Sequence, residues 1–140
     1  MINSRSAIPK VLVVDDEEDY LNILNLLLSA EGFKVETATD GKDGFEKLKS
    51  QQYDLAIIDI NMPRMDGYTL CREIRSDDKL KNLPVIMLTV RSRDEEQVWG
   101  FDVGSDEYLT KPFEPSVLVA KVRAVIRRSA GDPQSFGLSS

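Results

Sequence analysis

The chain has 140 residues, 41% of them hydrophobic and 30% charged, which suits one soluble domain with its own core. Its net charge of -6 argues against nucleic-acid binding by its own surface, and no apolar stretch approaches the ~20 residues of a membrane span. It has no histidine, which removes histidine triads, histidine-metal sites and a phosphohistidine donor role, and its lone Cys71 excludes an internal disulfide and fits a reducing, cytoplasmic compartment.

Residues 1–9 read as an N-terminal tail without the apolar region of a signal peptide. The first strand is expected at Lys10 to Val14. A helix follows from about Glu17 to Glu31, with Tyr20, Leu24, Leu27 and Leu28 at helical spacing and Gly32 as its stop. Phe33 to Ala38 alternates like an edge strand, and Gly41 to Ser50 forms a second helix around Phe45 and Leu48. The third strand, Asp54 to Asp59, is apolar on both faces, the mark of a central parallel strand. Tyr68 to Ser76 makes a helix carrying Leu70, Cys71 and Ile74, where Cys71 packs as a small hydrophobe. Pro84 punctuates the start of a fourth strand, Val85 to Thr89. A weaker helix is expected over about 94–103, with Trp99 as packing or, if exposed, a partner anchor. A fifth strand spans Asp106 to Thr110. The last helix runs from Pro115 to about Arg128, with Leu118, Val122 and Val125 on one stripe and Arg127-Arg128 complementing its dipole. Residues 129–140 read as a flexible tail or the start of a linker, leaving 10–128 as the domain.

Strands alternating with helices predict an α/β domain: a flavodoxin-like (βα)5 doubly wound parallel sheet of strand order 2-1-3-4-5. Ligands in such sheets bind at the carboxyl ends of the strands, at the switch point between strands 1 and 3. Asp15 and Asp16 follow the first strand, Asp59 ends the third, Thr89 ends the fourth and Lys111 follows the fifth. Each residue alone has a bland reading: Asp15-Asp16 as a helix cap, Asp59 with Asn61, Pro63 and Gly67 as a turn, Lys111 as a surface lysine. Together, carboxylates at one switch point repel, and a hard divalent cation such as Mg²⁺ relieves them while keeping waters that phosphate oxygens can replace. Asp59 is then the candidate nucleophile for phosphoryl transfer, with Lys111 as a point charge and Thr89 as a hydroxyl donor.

At this point the chain resembles the receiver domain of two-component response regulators, over roughly Val11 to Arg128. The resemblance rests on Val13-Val14-Asp15-Asp16-Glu17, on Ile58-Asp59-Ile60-Asn61-Met62-Pro63-Arg64-Met65-Asp66-Gly67, on Leu88-Thr89 and on Tyr108-Leu109-Thr110-Lys111-Pro112-Phe113. It implies that Asp59 accepts a phosphoryl group from the phosphohistidine of a sensor histidine kinase or phosphotransfer protein. It also implies a Mg²⁺ site of Asp16, Asp59 and the Asn61 backbone carbonyl, with Asp15 acting through a water. Lys111 would contact the phosphoryl group, and the Lys111–Pro112 bond would be cis. Thr89 and Tyr108 resemble the switch pair, the hydroxyl moving to the phosphoryl oxygen and the ring turning inward behind it. The face of the fourth helix, fifth strand and final helix would then report the change to a downstream effector or output domain.

Two positions depart from the pattern. Val90 stands where a small residue is usual, and is expected to restrict water and slow phosphoryl loss. Gly104-Ser105-Asp106-Glu107-Tyr108 and the Arg123–Arg128 helix end are similar to receivers of the OmpR/PhoB type, which dimerise through that last face. Val117 stands where those usually carry a glutamate, so a homodimer would lack one salt bridge. Two other functions compete with this reading. A haloacid-dehalogenase-like phosphatase would place its Asp-x-Asp after the first strand and needs a cap. An FMN-binding flavodoxin-like module needs a Ser/Thr/Gly-rich phosphate loop where Asp15-Asp16-Glu17-Glu18 stand.

Overall fold

Runs of apolar residues too short for helices become the strands of one parallel sheet. The structure, a computed structural model, describes residues 8–90 and 104–131. Its strands are β1 (Lys10–Val14), β2 (Lys34–Ala38), β3 (Leu55–Asp59), β4 (Val85–Thr89) and β5 (Glu107–Thr110), in the order β2-β1-β3-β4-β5. The described helices are α1 (Glu18–Ala30), α2 (Gly41–Ser50), α3 (Gly67–Ser76) and a C-terminal helix (Pro115–Ser129). The helix expected over about 94–103, Trp99 with it, lies outside the described residues, as do most of both expected tails.

Both faces of the sheet are covered, which explains why β3 and β4 are buried at every position. Val11, Val13, Leu55, Ile57, Ile86 and Leu88 pack against α1 and the C-terminal helix. Leu12, Val14, Ala56, Ile58 and Met87 face α2 and α3. On α1 the buried stripe is Leu21, Leu24 and Leu28, with Leu27 only partly covered. Fully burying each such leucine stabilises the fold by about 1.5–3 kcal/mol before entropic costs. Gly32, at φ 94°, ends α1: its N–H bonds the Ser29 carbonyl and the Phe33 N–H reaches back to Leu28. Asp40 and Asp66 cap α2 and α3 by accepting from the N–H groups of Asp43 and Thr69, each at 2.8 Å.

Register sets the position of the site. Val14 pairs with Ile58, so Asp15 and Asp59 emerge side by side at the switch point between β1 and β3. Thr89 pairs with Thr110, bringing Lys111 to the same rim. Behind Asp59 the chain turns sharply. A Cβ on Gly67 would lie 2.8 Å from Ile60 Cα and strike the Asp59 carbonyl oxygen. Only glycine lets α3 begin that close to the end of β3. In the same turn Arg64 takes a left-handed φ of 66°, and its guanidinium holds Asp40 at 2.7 Å.

Candidate functional site

Each side chain at the rim is held by the backbone that delivers it. Asp15 leaves β1 with its N–H on the Ala38 carbonyl, and its Oδ1 accepts from the Glu17 N–H at 2.9 Å. Neither Asp15 nor Asp16 caps α1; the cap position is Glu17, whose side chain makes no capping bond. Lys111 leaves β5 with its N–H on the Thr89 carbonyl at 2.7 Å, and the Lys111–Pro112 peptide is cis.

The Lys111 ammonium lies 3.0 Å from Asp15 Oδ2 and 3.0 Å from Asp59 Oδ1. Asp15, Asp59 and Lys111 are all buried, whereas Asp16 is exposed beside them. Oxygens of Asp15, Asp16 and Asp59 come within 4.8 Å of one another. Asp15 Oδ2 is ion-paired to Lys111 at 3.0 Å, but no donor is aligned on it as a hydrogen bond. One buried ammonium thus faces more carboxylate charge than it can neutralise.

The ionisation of the site follows. Burial pushes the Asp59 carboxyl up to about 6, the Asp15 charge adds to the rise, and Lys111 opposes it. Asp15 is also raised, chiefly by burial, with the Glu17 N–H and Lys111 pulling the other way. Burial works against the Lys111 charge, but Asp15 and Asp59 outweigh it and raise the Lys111 pKa. The donor set suits a hard divalent cation: oxygens only, an uncompensated negative charge and an exposed carboxylate on the open side.

Thr89 and Tyr108 sit on neighbouring strands and both are buried. Tyr108 pairs with Met87, so Thr89 two residues on shares its face of the sheet. Tyr108 also borders a cleft of about 280 Å³ between β5 and the C-terminal helix, with Phe113, Val117 and Lys121. Asn61 is exposed at the start of the loop after β3, and Val90 is 63% exposed one residue past Thr89.

Two residues of the site escape a reading of strand ends. Glu17 Oε1 lies 3.1 Å from Lys111 Nζ, and the Tyr20 ring has its centroid 4.0 Å from the same nitrogen. Tyr20 in turn meets the Phe113 ring at 6.1 Å. Glu17 was visible as one more acid beside Asp15-Asp16, but nothing local marks its partner, 94 residues away.

Comparison with known proteins agrees with this geometry. Residues 11–123 match the family model described as the response regulator receiver domain. The uncharacterized transcriptional regulatory protein YclJ of Bacillus subtilis is 41% identical over 119 residues, covering 85% of this chain and 51% of that protein. The chain therefore spans about half the length of this curated relative. Among solved structures, chemotaxis protein CheY4 of Vibrio cholerae is 34% identical with a TM-score of 0.79, covering 85% of this chain and 99% of that one. The receiver domain of sensor histidine kinase PA1611 from Pseudomonas aeruginosa PAO1, with a magnesium ion coordinated in its active-site cleft, is 28% identical with a TM-score of 0.79, covering 86% of this chain and 98% of that one.

Proposed function

Because the chain belongs to the response regulator receiver domain family, we propose that it is a signalling switch operated by phosphorylation of Asp59. The observation that carries this reading is the buried Lys111 ammonium bridging Asp15 and Asp59 at 3.0 Å each. An Asp59 oxygen attacks the phosphorus of a phosphohistidine, on a sensor histidine kinase or phosphotransfer protein, as the P–N bond breaks and the imidazole leaves. Lys111 then meets the transferred group, a point charge facing nearly two negative charges.

Asp15, Asp16 and Asp59, with the Asn61 backbone carbonyl, would hold Mg²⁺, as the magnesium site of the similar PA1611 domain suggests. When bound, the ion supplies charge neutralisation for the carboxylates and the phosphoryl oxygens. Thr89 and Tyr108 form the switch: a threonine contact available only with the phosphoryl group present biases one state, and Tyr108 follows. The readout is the face around β5 and the C-terminal helix, offered to an effector or output domain, or to a second copy of the chain. The domain itself spans about 10–128. Its receiver identity sets aside the phosphatase and FMN-binding readings.

The test is phosphoryl uptake from acetyl phosphate with Mg²⁺, read by intact mass. Uptake by the wild-type chain that disappears on chelation supports the reading; no uptake under any divalent condition rejects it.

A further inference from the structure

Lys111 is oversubscribed, and the sharing is unequal. An ammonium has three N–H donors. Asp15 at 3.0 Å, Asp59 at 3.0 Å and Glu17 at 3.1 Å surround them, while the Tyr20 ring covers the nitrogen from 4.0 Å. Of these contacts the one to Glu17 is an aligned hydrogen bond and those to Asp15 and Asp59 are ion pairs, so a phosphoryl oxygen seeking a Lys111 donor competes most directly with Glu17.

The three partners differ in what release costs. The side chain of Asp15 is wholly buried and that of Asp59 is 4% exposed, so either would leave an uncompensated charge away from water. The Glu17 side chain is 58% exposed and is rehydrated as it leaves. Its backbone N–H stays on Asp15 Oδ1, so the side chain can swing out without disturbing the inner carboxylates.

We propose that Glu17 is a positioning residue that competes with the phosphoryl group for Lys111, and so lowers the affinity of the site for that group. The idea rests on Asp59 being the phosphoacceptor, and it deepens that reading. Glu17 acts through its hydrogen bond to Lys111. Removing its charge frees a donor for the phosphoryl oxygens and leaves the ion pairs of Lys111 with Asp15 and Asp59 in place.

The experiment is a calorimetric titration of beryllofluoride, a phosphoryl mimic, into the Mg²⁺-loaded chain. Four proteins are compared: wild type, Glu17→Gln, Lys111→Met and the double variant. The expected result is binding about two- to fivefold tighter in Glu17→Gln, the range an exposed ion pair spans, and no effect of Glu17→Gln once Lys111 is methionine. Unchanged or weaker binding in Glu17→Gln overturns the proposal. So does a gain that persists without Lys111, which would mark a general charge effect. A Mg²⁺ affinity lowered tenfold by Glu17→Gln also overturns it, by making Glu17 a metal ligand. Wild type that binds no beryllofluoride would instead sink the parent reading.

Discussion

Asp59, the proposed phosphoacceptor, is held in its buried place at a cost to the fold. Burial and the neighbouring Asp15 charge lift its pKa to about 6, against an ordinary aspartate near ~3.9. Between those values the folded chain binds more protons than the unfolded one, so this group's contribution to stability declines as pH rises through about 6. At neutral pH and without divalent ions it is a net penalty. Asp59→Asn should therefore stabilise the metal-free chain by about 1–3 kcal/mol at pH 7, a gain that shrinks toward pH 4. Urea denaturation in a chelator measures it, and equal or lower stability at pH 7 would contradict the argument. Val90 concerns the lifetime of the product. It is 63% exposed one residue beyond Thr89, and its proposed role is to restrict water reaching a phosphoryl group. Val90→Ala is expected to lose its phosphoryl group severalfold faster; a rate unchanged or slower, followed by intact mass after donor removal, removes that role.

Among the elements, the junction of β3 with α3 carries the tightest constraint. A methyl group on Gly67 would meet Ile60 Cα at 2.8 Å and the Asp59 carbonyl oxygen, neither of them a flexible side chain. Gly67→Ala should cost about 1–3 kcal/mol by overpacking and should also weaken beryllofluoride binding, since the pressure falls on the backbone of Asp59. A variant as stable as wild type by urea denaturation would show that α3 can pull back freely. The strands were legible because runs such as Val11–Val14 and Leu55–Ile58 are apolar on both faces, a pattern helices of that length do not need. The phase of α1 was less so. Its leucines are dense enough that Tyr20 and Leu27 look as inward as Leu21, and tertiary contact decides: Leu21 enters the core while Tyr20 turns to Lys111.

For the whole molecule, the sheet order converts distant residues into one rim. Asp15, Asp59, Thr89 and Lys111 were legible because each ends or follows a strand, and the parallel topology makes strand ends coincide. Glu17 and Tyr20 were not, because a long-range contact with one lysine leaves no periodic mark in the chain. The net charge of -6 concentrates part of its repulsion at this rim, where Lys111 is the buried counter-charge among the described residues. In the proposed switch, a divalent cation there, followed by a phosphoryl group, would change the charge balance to which the β5 and C-terminal helix face responds. The direct test is to locate the modified residue. The chain is incubated with acetyl phosphate and Mg²⁺, the acyl phosphate is trapped by borohydride reduction, and the peptides are sequenced by mass spectrometry. Reduction at Asp59 alone, absent with chelator and in Asp59→Asn, is the expected result; label at another residue, or label that survives loss of Asp59, would contradict it.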